Sequence, residues 1–147
     1  MDDSDLVIDN NDNIVLGRLM TAQTVLYTLP NPARIGQFVA RVLESLPNVQ
    51  TCAVCIYGQC NPFGQLKVDC PRTCRKPEPR LDQPVAGVCF PTNNEQPVIF
   101  PLTTGQLRFG QIVIATDNPQ KFEILKPFIS NFANLTAIVI ENQWHED

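Results

Sequence analysis

A short apolar segment in the first half of the chain limits most strongly what this sequence can fold into. Residues 49–58, Val-Gln-Thr-Cys-Ala-Val-Cys-Ile-Tyr-Gly, predict a buried strand that ends at a turn glycine. Because side chains alternate along a strand, Cys52 and Val54 would lie on one face and Cys55 and Tyr57 on the other. We therefore assign Cys52 to the core and Cys55 to the face on which a binding site is expected.

Two helices are predicted before this strand. Apolar residues follow a mostly helical spacing over residues 14–29, and Pro30 ends that segment. Asn31 is a typical N-cap and Pro32 a typical first-turn proline, so a second amphipathic helix should run to about Leu46. Residues 1–13, which are acidic and rich in asparagine, are expected to form a flexible arm.

The rest of the chain predicts more strands and a closing helix. The predicted strands are residues 63–68, 85–90, 97–102 and 107–116, and the predicted helix is 123–143. The last two strands should form a hairpin that turns at Thr104 and Gly105. Residues 69–84 contain four prolines, which excludes a central strand. Pro127 is tolerable only in the first turn of the last helix. The pattern indicates one α+β domain over residues 14–147.

The composition and the absence of known motifs argue against several classes of function. A chain of 147 residues, 44% hydrophobic, is long enough for one domain with its own core. The formal net charge of -4 and the pI of about 4.9 argue against a nucleic acid partner. No signal peptide and no membrane-spanning segment is evident, so a cytoplasmic location is expected. P-loop and nucleophile-elbow motifs are absent, and we expect no enzymatic activity.

The cysteines are the most distinctive feature. The chain has 6, and all but Cys89 lie between positions 52 and 74. With Cys52 assigned to the core, the candidate site is a set of four thiolates: Cys55, Cys60, Cys70 and Cys74. Four thiolates suit zinc or an iron–sulfur cluster, and the basic residues near Cys74 would stabilise them. A reversible disulfide and simple burial of the thiols are the alternatives.

A haem site is less well supported. The single histidine, His145, is the third residue from the end of the sequence, and the Cys-x-x-Cys-His attachment motif is absent.

Residues 97–114 and 137–142 resemble segments of the GAF domain family of signalling proteins. Residues 97–114 are similar to that family's hairpin, a hydrophobic-hydrophobic-x-Pro-Leu segment, a turn, and a hydrophobic-x-Gly-hydrophobic segment. Residues 137–142, Ala-Ile-Val-Ile-Glu-Asn, resemble the end of its closing helix. The resemblance implies a central antiparallel sheet with the terminal helices and the second helix on one face, and a pocket lined by the loops of residues 58–96 on the other. It also implies a homodimer formed through the first and last helices, which regulates a kinase or similar output module not in this chain.

Together these features predict a GAF-like sensory domain that responds to a redox or metal-related signal. A small-molecule-binding domain with packed cysteines and a purely dimerising domain are the alternatives. A weaker alternative is an enzyme like the free methionine-R-sulfoxide reductases, because Gly87-Val88-Cys89 resembles their cysteine-bearing loop. However, Phe90 stands where that loop has a glycine.

Overall fold

The computed structural model describes residues 10–59, 62–69, 80–81, 90–91, 97–105 and 107–146. These residues form an α+β structure, as predicted. In chain order its elements are α1 (Asn10–Leu26), α2 (Pro32–Glu44), β1 (Val49–Ile56), β2 (Val68–Asp69), β3 (Arg80–Leu81), β4 (Phe90–Pro91), β5 (Val98–Thr104), β6 (Leu107–Thr116) and α3 (Pro119–Glu146).

The main sheet is built around β6, which pairs antiparallel with β1 and with β5. The two-residue β3 pairs with Leu107 and Arg108, beyond the last β1 pair at Ile56 and Gly110. β5 and β6 form the predicted hairpin, and its turn contains Gly105 with φ of 58°. A separate short ladder joins β2 to β4.

One hydrophobic core joins the three helices to a single face of the sheet. It contains Leu19 of α1, Leu43 of α2 and Phe132 of α3. The sheet supplies alternate residues, such as Val54 of β1 and Ile112 of β6. This pattern is what strand alternation requires when only one face packs against helices.

Asparagine side chains begin two of the helices. The Oδ1 atom of Asn31 accepts a hydrogen bond from the Arg34 N–H at 2.9 Å, which confirms the predicted cap of α2. Asn118 Oδ1 accepts from the Lys121 N–H at 3.2 Å in the same way, and Pro119 follows as the first residue of α3. At the start of each of these two helices, a backbone N–H group that has no acceptor within the helix thus donates to an asparagine side chain.

The predicted bounds of two helices are wrong. The first helix is Asn10–Leu26 and not residues 14–29, because Thr28 and Leu29 bond into a turn that ends it. The last helix begins at Pro119, so Pro127 lies inside it and the Glu123 carbonyl has no N–H four residues on to accept from. The helix continues through this position because its neighbours, including Leu125 and Ile129, are buried in the core.

The predicted strand over residues 63–68 is also wrong in extent. Phe63 forms an isolated bridge with Val54, and regular pairing resumes only at Val68. Gly64 interrupts the strand with φ of +101°, and a Cβ there would lie 2.2 Å from the Cys52 carbonyl oxygen. Of the predicted strand 85–90, all but Phe90 lies outside the described residues.

None of the helices in the described part of the chain is long and apolar enough to cross a membrane.

Candidate functional site

The face of the main sheet opposite the helices carries the candidate site. Its apolar part is a small cluster of Ala53, Leu66, Val113 and Ala115, with Val68 and Ile99 packed against it. Next to this cluster, Cys55 and Tyr57 are buried with Val68 against them. This face is separate from the main core, so substitutions here need not disturb the helices.

A bulge in β6 determines which side chains reach this face. Along β5 the register passes from Leu102 opposite Gly110 to Thr103 opposite Arg108, so Phe109 is an extra residue. In a regular strand, Arg108 and Gln111 would point to opposite faces because they are three residues apart. The extra residue puts both on the candidate-site face and leaves Phe109 in the main core.

Gly110 is required at this bulge because the backbone of β1 comes very close. A Cβ at this position would lie 2.0 Å from the carbonyl oxygen of Cys55. No side chain fits at such a distance, so the close approach of the two strands depends on glycine.

Arg108 and Gln111 are both buried, which is unusual for a cation and an amide. Arg108 is 7% exposed and Gln111 1% exposed; among the residues whose burial the structure describes, the only other buried polar one is Thr136. The Arg108 Nη2 atom donates to Gln111 Oε1 at 3.2 Å, and its Nε atom donates to the Gly110 carbonyl at 3.3 Å. These two bonds hold the guanidinium group against the sheet and offset part of the cost of burying it.

Cys55 lies beside this pair. Its Cα partner across β1 and β6 is Gln111, and its side chain is 3% exposed. Cys55, Gln111 and Arg108 are therefore neighbours on the same face of the main sheet, near the end of β1. The structure confirms the prediction that Cys55 and Tyr57 share the face opposite Cys52 and Val54.

The remaining thiols of the predicted set cannot be placed beside Cys55. Cys60, Cys70 and Cys74 lie outside the described residues, as do Cys89 and the side chain of His145. Within the ranges that are described, no three His, Cys, Asp or Glu side chains are grouped so that they could hold a metal ion. The four-thiolate site with zinc or iron–sulfur thus stays a prediction.

Cys52 has a different environment. It is fully buried in the main core, where its Sγ donates weakly to the Ala40 carbonyl at 3.6 Å. Burial, with a smaller contribution from the charge of Glu44, raises the pKa of this thiol well above its ordinary range. Cys52 is therefore a neutral packing residue and a poor metal ligand or nucleophile.

Sequence reasoning did not single out Arg108 and Gln111. The available signal was a charged residue and an amide on either side of Phe109-Gly110 within an otherwise apolar strand. A glycine inside a strand often marks a bulge, and a bulge would have placed the two polar residues together.

A groove lies on the other side of the molecule, between α1 and α2. Its volume is about 590 Å³, and Val25, Phe38 and Val42 are among the mostly apolar residues that line it. Arg18 and Ser45 also line the groove, and the Arg18 Nη1 atom donates to the Ser45 carbonyl at 3.2 Å. This groove contains none of the residues predicted for the site.

Comparison with known proteins identifies no relative: no protein-family model matches the chain, and no curated protein or solved structure is significantly similar to it.

Proposed function

We propose that this chain is a GAF-like sensory domain without enzymatic activity, which responds to a redox or metal-related signal. In this proposal Cys55, Cys60, Cys70 and Cys74 bind zinc or an iron–sulfur cluster, and the domain acts as a homodimer on an output module outside this chain. The observation that carries it is the position of Cys55, buried on the sheet face that the helices leave uncovered.

The chain connects Cys55 to the other three cysteines by short segments. Val68 packs against Cys55 and Tyr57, and Cys70 is only two residues after Val68 in the sequence. Because two residues span at most about 7 Å, the proposed site requires Cys70 to bind the metal within that reach of Val68. Cys60 follows the last residue of β1 by four positions, and Cys74 follows Cys70 by four. The set is therefore compatible with one site next to Arg108.

A signal at this face has a structural route to α3. Thr103 is the register partner of Arg108, and the next residue, Thr104, donates a hydrogen bond from its hydroxyl to Glu141 of α3. A change in the loops over Cys55 that moved the hairpin end would therefore act on the last helix, the kind of element that can exist in two positions.

The homodimer is supported by the exposed apolar side chains. Among the residues whose side-chain exposure the structure describes, the exposed large hydrophobic ones belong to α1, the turn after it, or α3: Ile14, Met20, Tyr27, Ile124 and Ile138. Isolated surface hydrophobics are common, but confinement to two adjacent helices is typical of an interface.

The test is to purify the protein without oxygen and to measure visible absorbance, bound zinc and iron, and reactive thiols. We expect bound metal in the wild type and its loss in Cys55→Ser and in Cys70→Ser. Cys52→Ala is the matched control, since Cys52 lies on the other face: it should keep the metal per folded molecule while lowering stability. A metal-free wild type with four or more readily titrated thiols would refute the metal site.

A second candidate function is binding of a small molecule on the same face, with the cysteines only packed. The burial of Arg108 with Gln111 favours it, because a few polar groups in an apolar surface are typical of ligand sites. Thermal shift assays with small carboxylates and phosphates would test it. Stabilisation that persists in Cys70→Ser but disappears in Arg108→Met would favour this function over the metal site.

A further inference from the structure

The groove between α1 and α2 has the size and the lining of a small-ligand site. Its volume of about 590 Å³ falls within the range of about 300–1,000 Å³ that is usual for such sites. Along α1 the lining extends from Ile14 to Val25, which corresponds to about 16 Å of helix. Phe38 and Val42 of α2 also line it, and both are only partly buried against the main core. A long apolar ligand would cover them.

The polar groups of the groove limit the chemistry of that ligand. Among the residues that the structure describes, Arg18 is the only charged one in the lining. Both hydroxyl groups of the lining donate to their own helices: Thr21 donates to the Gly17 carbonyl at 2.9 Å, and Ser45 donates to the Val42 carbonyl at 2.6 Å. Sugars and nucleotides would give up many hydrogen bonds with water here and find few replacements. The groove therefore favours a ligand with a single polar end.

The Arg18 guanidinium indicates that this polar end is an anion. Its bond to the Ser45 carbonyl holds it between α1 and α2, and no ion pair neutralises it within the described part of the chain. A guanidinium group has five N–H donors, so the donors not used by Ser45 suffice for both oxygens of a carboxylate. A phosphate monoester carries a charge of about −1.5 to −2, which one arginine would not balance. A monocarboxylate matches the single cation.

Gly17 leaves room beside this guanidinium group. It lies inside α1, where glycine lowers helix stability relative to alanine. Crowding does not require it, because nothing lies within 4 Å of where its Cβ would be. Gly17 lines the groove one residue before Arg18. The missing side chain keeps the groove open at this point, and a ligand in the groove accounts for the glycine.

We propose that the groove binds a linear monocarboxylic acid with an apolar chain of medium length. The Arg18 guanidinium binds the carboxylate, and the chain lies over Gly17 and against Phe38 and Val42. The site is formed by the helices, on the side of the sheet away from Cys55. It therefore gives the domain a second binding site, which does not rest on the proposed function.

The first experiment measures which ligands bind to the full chain, by isothermal titration calorimetry below the micelle concentration of each. Octanoate, decanoate and dodecanoate should bind with increasing affinity, by about two- to fourfold for each added CH₂ group, because each buries more apolar surface. Decan-1-ol has the chain of decanoate without its charge, and it should bind about 10-fold more weakly or worse. Decylamine should not bind measurably, since its cation would face Arg18.

The second experiment locates the site with variants. Gly17→Leu should weaken decanoate binding about 10-fold or more by filling the groove, without loss of stability, because leucine is the better helix former. Arg18→Met should weaken decanoate binding about 10-fold and leave decan-1-ol binding unchanged, and Arg18→Lys should restore part of the loss. Arg34→Met is the matched control: Arg34 is an exposed arginine of α2 outside the groove, and its loss should not change binding.

The possible results decide between this ligand and other occupants of the groove. Equal affinity for decanoate and decan-1-ol, unchanged in Arg18→Met, would overturn the role of the carboxylate. Decanoate binding that is unaffected by Gly17→Leu would overturn the location. If no acid binds at 1 mM and Gly17→Leu changes the oligomeric state in sedimentation velocity, a second copy covers the groove and the proposal fails. Bound metal, measured on the same samples, tests the cysteine site independently of these results.

Discussion

Replacing Gly36 by alanine should destabilise the protein, although alanine favours helices. Gly36 is buried in α2, and the ring of Phe63 rests directly on it. A Cβ at this position would lie 2.2 Å from Cδ2 and 2.4 Å from Cε2 of that ring. These distances are far inside van der Waals contact, so the ring or the helix has to move.

The expected magnitude follows from two opposing terms. Alanine in place of glycine inside a helix stabilises by about 1 kcal/mol. Inserting a methyl group into a filled space costs about 1–3 kcal/mol, and relief is limited here because Phe63 is anchored by its backbone. Its N–H and carbonyl both pair with Val54, at 2.9 and 2.7 Å. Because the ring is anchored, the steric cost should lie in the upper part of this range, about 2–3 kcal/mol, and the net loss in the free energy of unfolding should be about 1–2 kcal/mol.

Gly17→Ala is the matched control. Gly17 lies inside α1, and nothing is within 4 Å of where its Cβ would be. Only the propensity term applies, so the same substitution should stabilise by about 0.5–1 kcal/mol. Urea unfolding followed by circular dichroism would measure both variants, provided that the slopes of the transitions agree.

A double-mutant cycle identifies the cause. In a Phe63→Ala background the ring is gone, and Gly36→Ala should become neutral or stabilising. If Gly36→Ala stabilises the wild type as much as Gly17→Ala does, the reasoning is refuted, because the ring of Phe63 would then not rest on the helix.

Two further outcomes are expected. Asn31→Ala should lower the free energy of unfolding by about 1 kcal/mol through loss of the α2 cap, whereas Asn31→Ser should change it little; equal losses in urea unfolding would contradict the capping role. Because burial raises the pKa of the Cys52 thiol above the ordinary 9.0, the folded state keeps this proton at pH values where the unfolded state has lost it. The stability linked to Cys52 is therefore complete below the ordinary pKa and falls as the pH rises above it, by about 1.4 kcal/mol per pH unit. Cys52→Ala should show a shallower loss of stability than the wild type between about pH 9 and 10.5; unchanged pH dependence would contradict the burial argument.

Features that depend on residues close together in the sequence were predictable from it. The cap at Asn31 and the opposite faces of Cys52 and Cys55 follow from the residue types and from the period of a strand. The hairpin of β5 and β6 followed from two apolar runs with a glycine turn between them.

Features that depend on tertiary contacts were not predictable in this way. Arg108 and Gln111 share a face only because pairing with β5 makes Phe109 an extra residue, which the sequence of β6 alone does not fix. Likewise, Pro127 lies inside α3 because burial of the surrounding residues outweighs the lost hydrogen bond. Of the four-cysteine site, the structure addresses Cys55 alone.

The extra residue in β6 also determines how single-residue deletions in this strand affect the direction of the remaining side chains. Deleting Phe109 would remove the bulge and leave every remaining side chain pointing to the side it occupies now. Deleting Ile112 would instead break the alternation of the strand. If the bulge were lost, Gln111 would turn toward the helices; if the bulge were kept, either Arg108 would turn toward the helices or Ile114 would turn away from them. Tolerance to single-residue deletions along β6 should therefore differ sharply between these two positions, even though both are buried and apolar.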